Sequence, residues 1–374
     1  MSYIPVNIPN LTPEDIGSVL EALEEGWISS EGPIVEKFEA DFTSAFDRSY
    51  GAAVANGTAA LDLCIAALDL KEGDEVILPS FTIVSCVSEI LRSGAKPVFA
   101  EIDPVTWSID PSLVVDAITD KTKAVIVVHI YGLPVDIDPI LDECSRRNIV
   151  VIEDAAEAHG LLYKGRKCGS LGDVSIFSFY ANKNVTTGEG GMVISDNDDF
   201  IRKVKYLRNL AFEPGRRFFH QRLGWNYRMG SLQAALGISQ LRRLDLTIQR
   251  RREVAAAYRD QLGEHERLTF PPSKVPYAEN DFWVVGFLIN GSSESLRDNV
   301  ISQLHERGIG TRPFFYPLHL QPIVTERFPD QPTMAITESV AQSGLYVPNF
   351  LTITETQIDQ VCNAVRQVLE RVAR

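Results

Sequence analysis

Nothing in this chain approaches the run of about 18 apolar residues that a membrane-crossing helix needs. Cysteine is sparse. The five, Cys64, Cys86, Cys144, Cys168 and Cys362, are scattered, odd in number and without a CxxC spacing. That pattern excludes a disulfide framework and fits core thiols in a reducing compartment. Positive charge is also scarce. With a net charge of −14 and no long basic run, nucleic acid and anionic membrane are excluded as main partners. The clusters Arg216-Arg217 and Arg250-Arg251-Arg252 remain free to meet phosphates or acidic neighbours. The histidines form no HExxH or paired His/Cys motif, so no metal is expected. The opening MSYIPVNIPNLTPEDIG lacks a basic stretch followed by an apolar one, unlike a signal peptide. The expectation is a soluble, cytoplasmic protein.

What is present is a chain of 374 residues, 45% of them hydrophobic, enough for one large core and a smaller one. Strand-like runs at Tyr50–Ala55, Glu75–Leu78, Pro97–Ile102, Ala124–Ile130, Ile149–Ile152 and Val174–Phe179 alternate with helical patterns. One pattern runs from Thr12 to Gly26, with Ile16, Val19, Leu20 and Leu23 on one face. Others cover Val35–Phe46 and Pro111–Ile118. This alternation predicts an α/β fold with a mainly parallel, doubly wound sheet. Helical spacing continues from Ser231 to about Leu262 and is taken as a bridge between domains. Beyond it, strands and helices mix in a smaller α+β C-terminal domain. The boundary is placed at residues 246/247, giving domains 1–246 and 247–374.

The stretch from Val150 to Met192 organises the rest. Asp154 and Lys183 each follow an apolar strand-like run. Charged groups just past the carboxyl ends of strands in an α/β sheet lie where ligands usually bind. One carboxylate and one lysine placed there suit pyridoxal phosphate chemistry. The lysine forms a Schiff base with the cofactor aldehyde, and the carboxylate keeps the pyridinium nitrogen protonated. Taken singly, an Asp ending a strand is also a common helix cap, and a Lys in a polar loop is commonly solvated. Asn56-Gly57-Thr58-Ala59 opens a helix, where free backbone N–H groups and a hydroxyl form a ready phosphate site. Gly188-Glu189-Gly190-Gly191 is a turn, not a dinucleotide-binding fingerprint.

The words NGTAALDL, PSFT, EDAAEAHG and GSLGDVSIFSFYANKNVTTGEGG resemble the pyridoxal-phosphate-dependent nucleotide-sugar aminotransferases of the DegT family. The likeness runs from WISSEGPIVEKFE to TRPFFYPLHLQP in the family's order. It implies a fold-type I transferase and pyridoxal 5'-phosphate as cofactor, with Lys183 and Asp154 as catalytic groups. It further implies cofactor contacts at Gly57, Thr58, Ala59, Phe81 (stacked on the ring), Glu157, Ser178 and Asn226. The last would reach across a homodimer with shared active sites. Many family members have glutamine where this chain has Glu157, and a carboxylate beside the cofactor's phenolic oxygen requires a shared proton. His129 and His159 are further candidates near the cofactor, although simple packing explains them as well.

Substrate contacts implied by the resemblance are Ser29, Ser30, Arg312, Tyr316 and His319. A plain Ser/Gly turn and a surface arginine before a proline give the same spelling. The wording is most similar to members that move the amino group of L-glutamate to the C4 ketone of GDP-4-keto-6-deoxymannose. A UDP- or dTDP-linked keto sugar, a keto-cyclitol, or a cofactor-binding regulator without turnover remain alternatives. Related sugar dehydratases have histidine where this chain has Lys183, which speaks against dehydration.

Overall fold

The computed structural model describes residues 3–216 and 218–372. Arg217 of the basic pair noted above, and residues 373–374 of the segment expected to form the C-terminal domain, lie outside them. Fifteen strands are present among the described residues: β1 (Tyr50–Val54), β2 (Glu75–Pro79), β3 (Lys96–Ala100), β4 (Thr122–Val128), β5 (Val150–Asp154), the hairpin β6 (Leu162–Tyr163) and β7 (Arg166–Lys167), β8 (Val174–Ser178), β9 (Gly191–Ser195), β10 (Leu268–Thr269), β11 (Lys274–Val275), β12 (Ala278–Glu279), β13 (Val285–Ile289), β14 (Arg312–Pro313) and β15 (Gly344–Val347). Seven form the main sheet in the order β1-β9-β8-β5-β4-β2-β3. The pairs β2/β3, β2/β4, β4/β5 and β5/β8 are parallel, and β9 runs antiparallel to both β8 and β1. The sheet is therefore mainly parallel, as the alternation predicts. Its strands are buried on both faces: β2 and β9 have no exposed position, which is why they read as unbroken apolar runs.

The C-terminal part builds a second, antiparallel sheet in the order β10-β13-β15-β14. Its own core contains Phe287, Leu345, Val361 and Leu369, together with Ile4 from the start of the chain. The helix Leu244–Leu262 serves both cores. Leu244 and Ile248 pack under the main sheet, and Val254, Tyr258 and Leu262 pack in the C-terminal core.

One expectation changes. The long helix predicted from Ser231 is two helices, Ser231–Leu241 and Leu244–Leu262. Arg243 leaves the helical region with φ −116° and ψ 20°, and its guanidinium bonds the Asn10 carbonyl and the Asp15 carboxylate. The predicted first helix is present as α1 (Pro13–Glu24). Thr12 and Asp15 form a reciprocal capping box, and Asp15 and Ala22 are the residues it buries. The apolar stripe faces outward, with Ile16, Leu20 and Leu23 between 46% and 57% exposed.

Candidate active site

The carboxyl ends of β4, β5 and β8 open onto a cavity of about 460 Å³. Its wall includes Asn56, Gly57, Thr58, Asp154, Glu157, Ser178 and Lys183, which the sequence singles out across some 130 positions. Each reaches the cavity for a local reason. Asp154 is the last residue of β5 and Ser178 the last of β8. Lys183 sits in the loop after β8, where its backbone N–H bonds the Tyr180 carbonyl at 2.9 Å.

At one end of the cavity α3 (Gly57–Ala67) begins. The Asn56 side chain caps it by accepting the Ala59 N–H at 2.8 Å. Gly57 and Thr58 are the first two helical positions, whose N–H groups have no carbonyl partner within the helix. Ala59 is buried and absent from the wall, so Gly57 and Thr58 rather than Ala59 present amides to a ligand. The Thr58 hydroxyl lies 2.7 Å from that of Ser85. A Cβ added at Gly57 would come within 2.7 Å of the Ser178 Cβ, so glycine is what lets α3 approach the end of β8. Two hydroxyl side chains, two free amides and a helix N-terminus suit a phosphate monoester.

At the other end stand the titratable groups. Asp154 is buried, and its Oδ1 accepts the Ala156 N–H at 3.0 Å while Oδ2 accepts the Cys86 thiol at 3.4 Å. Burial raises its carboxyl above the usual range, partly offset by the Ala156 N–H and the Lys183 charge. Glu157 accepts the Tyr131 N–H at 2.8 Å and faces Lys183, with Nζ 3.5 Å from Oε1. Burial raises the Glu157 carboxyl as well. For Lys183, burial lowers the amine against the pull of Glu157 and Asp154. The groups expected to hold pyridoxal phosphate thus occur at one cavity: a phosphate cradle, an amine and a buried carboxylate. The residues fit the cofactor.

Other assigned residues lie elsewhere. Phe81 is buried off the cavity wall, with its ring against Tyr131, Phe314 and Phe315 at 5.7–6.1 Å. Ile83, two residues on and 47% exposed, lies on the wall. His319 is buried, with Nδ1 2.6 Å from the Ser80 hydroxyl and Nε2 3.2 Å from Glu338. Both ring nitrogens are engaged, which leaves none for a substrate. Arg312 is exposed at the end of the antiparallel sheet, opposite Tyr346 of the cavity wall. Tyr316 lines a separate hollow with Arg297 and Glu338. Ser29 and Ser30 share a third with Asn209, Glu213 and Arg228, and Asn226 is exposed nearby on the surface, paired in a bridge with Asn209.

His129 and His159 are both buried. His129 bonds Glu153 at 2.9 Å and accepts the Val135 N–H at 3.1 Å. Cys168 is near this pair, but Glu153 already accepts from Gly169, Leu171, Gly172 and Ser175, leaving it no lone pair aimed at an ion. His159 accepts the Val185 N–H at 3.2 Å, and burial pushes its ring down to about 3. Sequence reasoning missed Asn182, Trp283, Phe315 and Tyr346, all on the wall. The Lys183 amine lies 3.7 Å from the centre of the Trp283 ring.

The pattern describing the DegT/DnrJ/EryC1/StrS aminotransferase family matches residues 9–366. GDP-perosamine synthase of Escherichia coli O157:H7 is 37% identical, covering 98% of this chain and 99% of that protein. GDP-perosamine synthase of Caulobacter vibrioides is 38% identical, with 98% of each chain covered. The crystal structure of the aminotransferase TlmJ from Streptoalloteichus hindustanus superposes with a TM-score of 0.92 at 30% identity, over 99% of this chain and 100% of that one. Among the described residues no helix is long and apolar enough to cross a membrane. With a fold-type I architecture and a cavity fitted to pyridoxal phosphate, the chain belongs to the DegT/DnrJ/EryC1/StrS family of sugar aminotransferases.

Proposed function

We propose that this enzyme moves the amino group of L-glutamate to the C4 ketone of GDP-4-keto-6-deoxymannose, giving GDP-perosamine. The observation that carries the chemistry is the convergence of Lys183 and Asp154 on one cavity with the Gly57–Thr58–Ser178 cradle. The choice of sugar nucleotide rests on the two GDP-perosamine synthases that match over nearly the whole chain.

When bound, pyridoxal phosphate supplies an aldehyde that takes up the amino group and a ring that draws electrons from the carbon losing its proton. Gly57, Thr58 and Ser178 hold the phosphate. Lys183 provides the amine that holds the cofactor in the resting enzyme, and once free, its Nζ takes the proton from the α-carbon of glutamate. Burial favours this role by making the neutral amine more accessible near neutral pH. Asp154 keeps a proton on the ring nitrogen. Glu157 would be the partner of the phenolic oxygen, and its raised carboxyl would make a shared proton available in place of repulsion.

The active assembly in this reading is a homodimer in the cytoplasm, with Asn226 reaching the partner's phosphate site. In support, Asn226 is exposed, and the outward stripe of α1 continues through Trp27 and Ile28, 39% and 60% exposed. Such contiguous apolar area is characteristic of a contact surface. The five cysteines are free and buried, as suits a reducing compartment. The test offers purified protein and glutamate with GDP-, UDP- and dTDP-linked 4-keto-6-deoxy sugars in parallel, following amino-sugar formation by mass. Amination of the GDP sugar in preference to the others is expected; a preference for UDP or dTDP sugars refutes the assignment.

A further inference from the structure

The amine of Lys183 has a second neighbour besides Glu157. Its Nζ lies 3.7 Å from the centre of the Trp283 ring, a distance at which a cation is attracted to the face of an indole. This tryptophan is 5% exposed and belongs to the segment before β13, one hundred residues beyond the lysine.

Its position is fixed from several directions. The indole N–H donates to the Asn182 carbonyl at 2.9 Å, so the ring is tied to the residue immediately before Lys183. The Trp283 backbone N–H donates to Asp281 Oδ1 at 3.0 Å. Its carbonyl accepts from Arg251 Nη1 at 3.1 Å and from the Asn349 amide at 3.2 Å. Arg251 is buried and also grips both sides of the lysine: Nη2 donates to the Asn182 carbonyl and Nε to Asn184 Oδ1, each at 3.1 Å. Asn184 in turn donates to Asp281 at 2.7 Å. Tyr131 stacks near the indole, with centroids 6.4 Å apart and planes at 27°.

We propose that Trp283 is a positioning residue for catalysis, whose indole face receives the Lys183 ammonium whenever that amine is free, with Arg251 locking tryptophan and lysine loop together. This rests on the aminotransferase reading but concerns the lysine alone. A ring of this kind stabilises the charged amine against the dry surroundings. Asp154 at the end of β5, Glu157 just beyond it and Arg251 from its helix are the charged groups acting on the same amine, and the buried His159 ring is the further titratable group that feels it. Asp154, Glu157 and Arg251 make no hydrogen bond to the indole, so a change of ring removes none of theirs.

The test measures the pH dependence of acylation of Lys183 in the full-length, cofactor-free protein by peptide mass spectrometry. Wild type is compared with Trp283→Phe and Trp283→Leu, and with Trp283→Met should the leucine variant not fold. The midpoint of the pH profile is the readout, because a change in accessibility alters the plateau rate and leaves the midpoint in place. Loss of the aromatic face should move the midpoint down by about one unit, equal to about tenfold faster acylation at a fixed pH well below it. Trp283→Phe, which keeps a weaker face, should move it less. A midpoint unchanged in the leucine and methionine variants refutes the proposal, as does an equal shift in Trp283→Phe. Since no turnover is measured, failure here stays separate from failure of the amination assay.

Discussion

Replacing Arg251 by methionine keeps much of the buried stem while removing the guanidinium. In the structure that group makes four hydrogen bonds, to Asn184 Oδ1 and to the carbonyls of Trp283, Asn349 and Asn182, at 2.6–3.1 Å. All four acceptors lose a donor, but the carbonyls of Trp283, Asn182 and Asn349 each keep another, from the Asn349 amide, the Trp283 indole and the Asn7 amide, so Asn184 Oδ1 is the one left bare. Each acceptor left without a partner costs about 1–3 kcal/mol, and water entering the space recovers part of that. Asp281 also loses the stronger of the two cations acting on it, Arg251, and keeps Arg252. Breaking a buried charge network by removing one member typically costs about 3–5 kcal/mol, and we expect a loss in this range at pH 7. Urea unfolding followed by tryptophan fluorescence measures it, provided the slopes of the two proteins agree.

The pH dependence adds a second signature. Burial pushes the Asp281 carboxyl up to about 7, with Asn184 and Arg251 pulling the other way. Its folded value lies above the unfolded one, so the folded state binds the extra proton. Stability from this group therefore falls as pH rises from about 4 to 7. Without Arg251 the carboxyl titrates higher still and the fall continues past pH 7. The deficit of the variant should grow between pH 7 and 9 and be constant below pH 6. A loss under about 1 kcal/mol, or a deficit flat across that window, refutes the account of Arg251 as the lock.

Asp154→Asn should bind cofactor yet lose about 100-fold or more in kcat, since the ring nitrogen loses the carboxylate that holds its proton; near-normal turnover contradicts the role. Borohydride should fix the cofactor to the peptide containing Lys183, and Lys183→Ala should show no adduct there by mass spectrometry. Gly57→Ala should weaken cofactor binding about tenfold or more, because the new methyl comes within 2.7 Å of the Ser178 Cβ and overpacking costs about 1–3 kcal/mol; absorbance titration reads the affinity. Glu153 is buried, which alone would raise it, but His129 and the Gly169 and Gly172 amides hold it down to about 2. Its stabilising contribution is present above the unfolded value and lost as pH falls from about 4.5 to 2. Glu153→Gln should therefore cost on the order of 3 kcal/mol at neutral pH and progressively less on acidification, as urea titrations at each pH would show.

The main sheet and the centre of the site were legible because both are written locally. Strands such as β2, β4 and β8 are buried on both sides and spell themselves as short apolar runs. Asp154 and Ser178 end two of them, and Gly57 and Thr58 open the next helix after β1. What could not be read depends on contacts between distant segments. Trp283, Phe315 and Tyr346 look like ordinary core aromatics until the second sheet brings them against the cavity. Phe81 and Ile83 are two apolar neighbours, and only packing decides that the phenyl ring joins Tyr131 and Phe314. The outward direction of the α1 stripe was unreadable for a similar reason. A carboxylate normally points to water, but Asp15 is pulled inward by Arg243 and Gln240 from more than 220 residues away, and the leucines follow the opposite direction.

The tie between Arg251, Trp283 and the loop holding Lys183 also bears on engineering. Exchanging the C-terminal third between relatives is an obvious route to new sugar preference, since that third walls one side of the cavity. In this chain such a graft would carry the brace of the reactive amine along with the specificity wall. Chimeras joined after residue 247 should therefore be chosen from donors that keep an arginine and an aromatic side chain at these two positions, or the transplanted preference arrives with a slackened nucleophile.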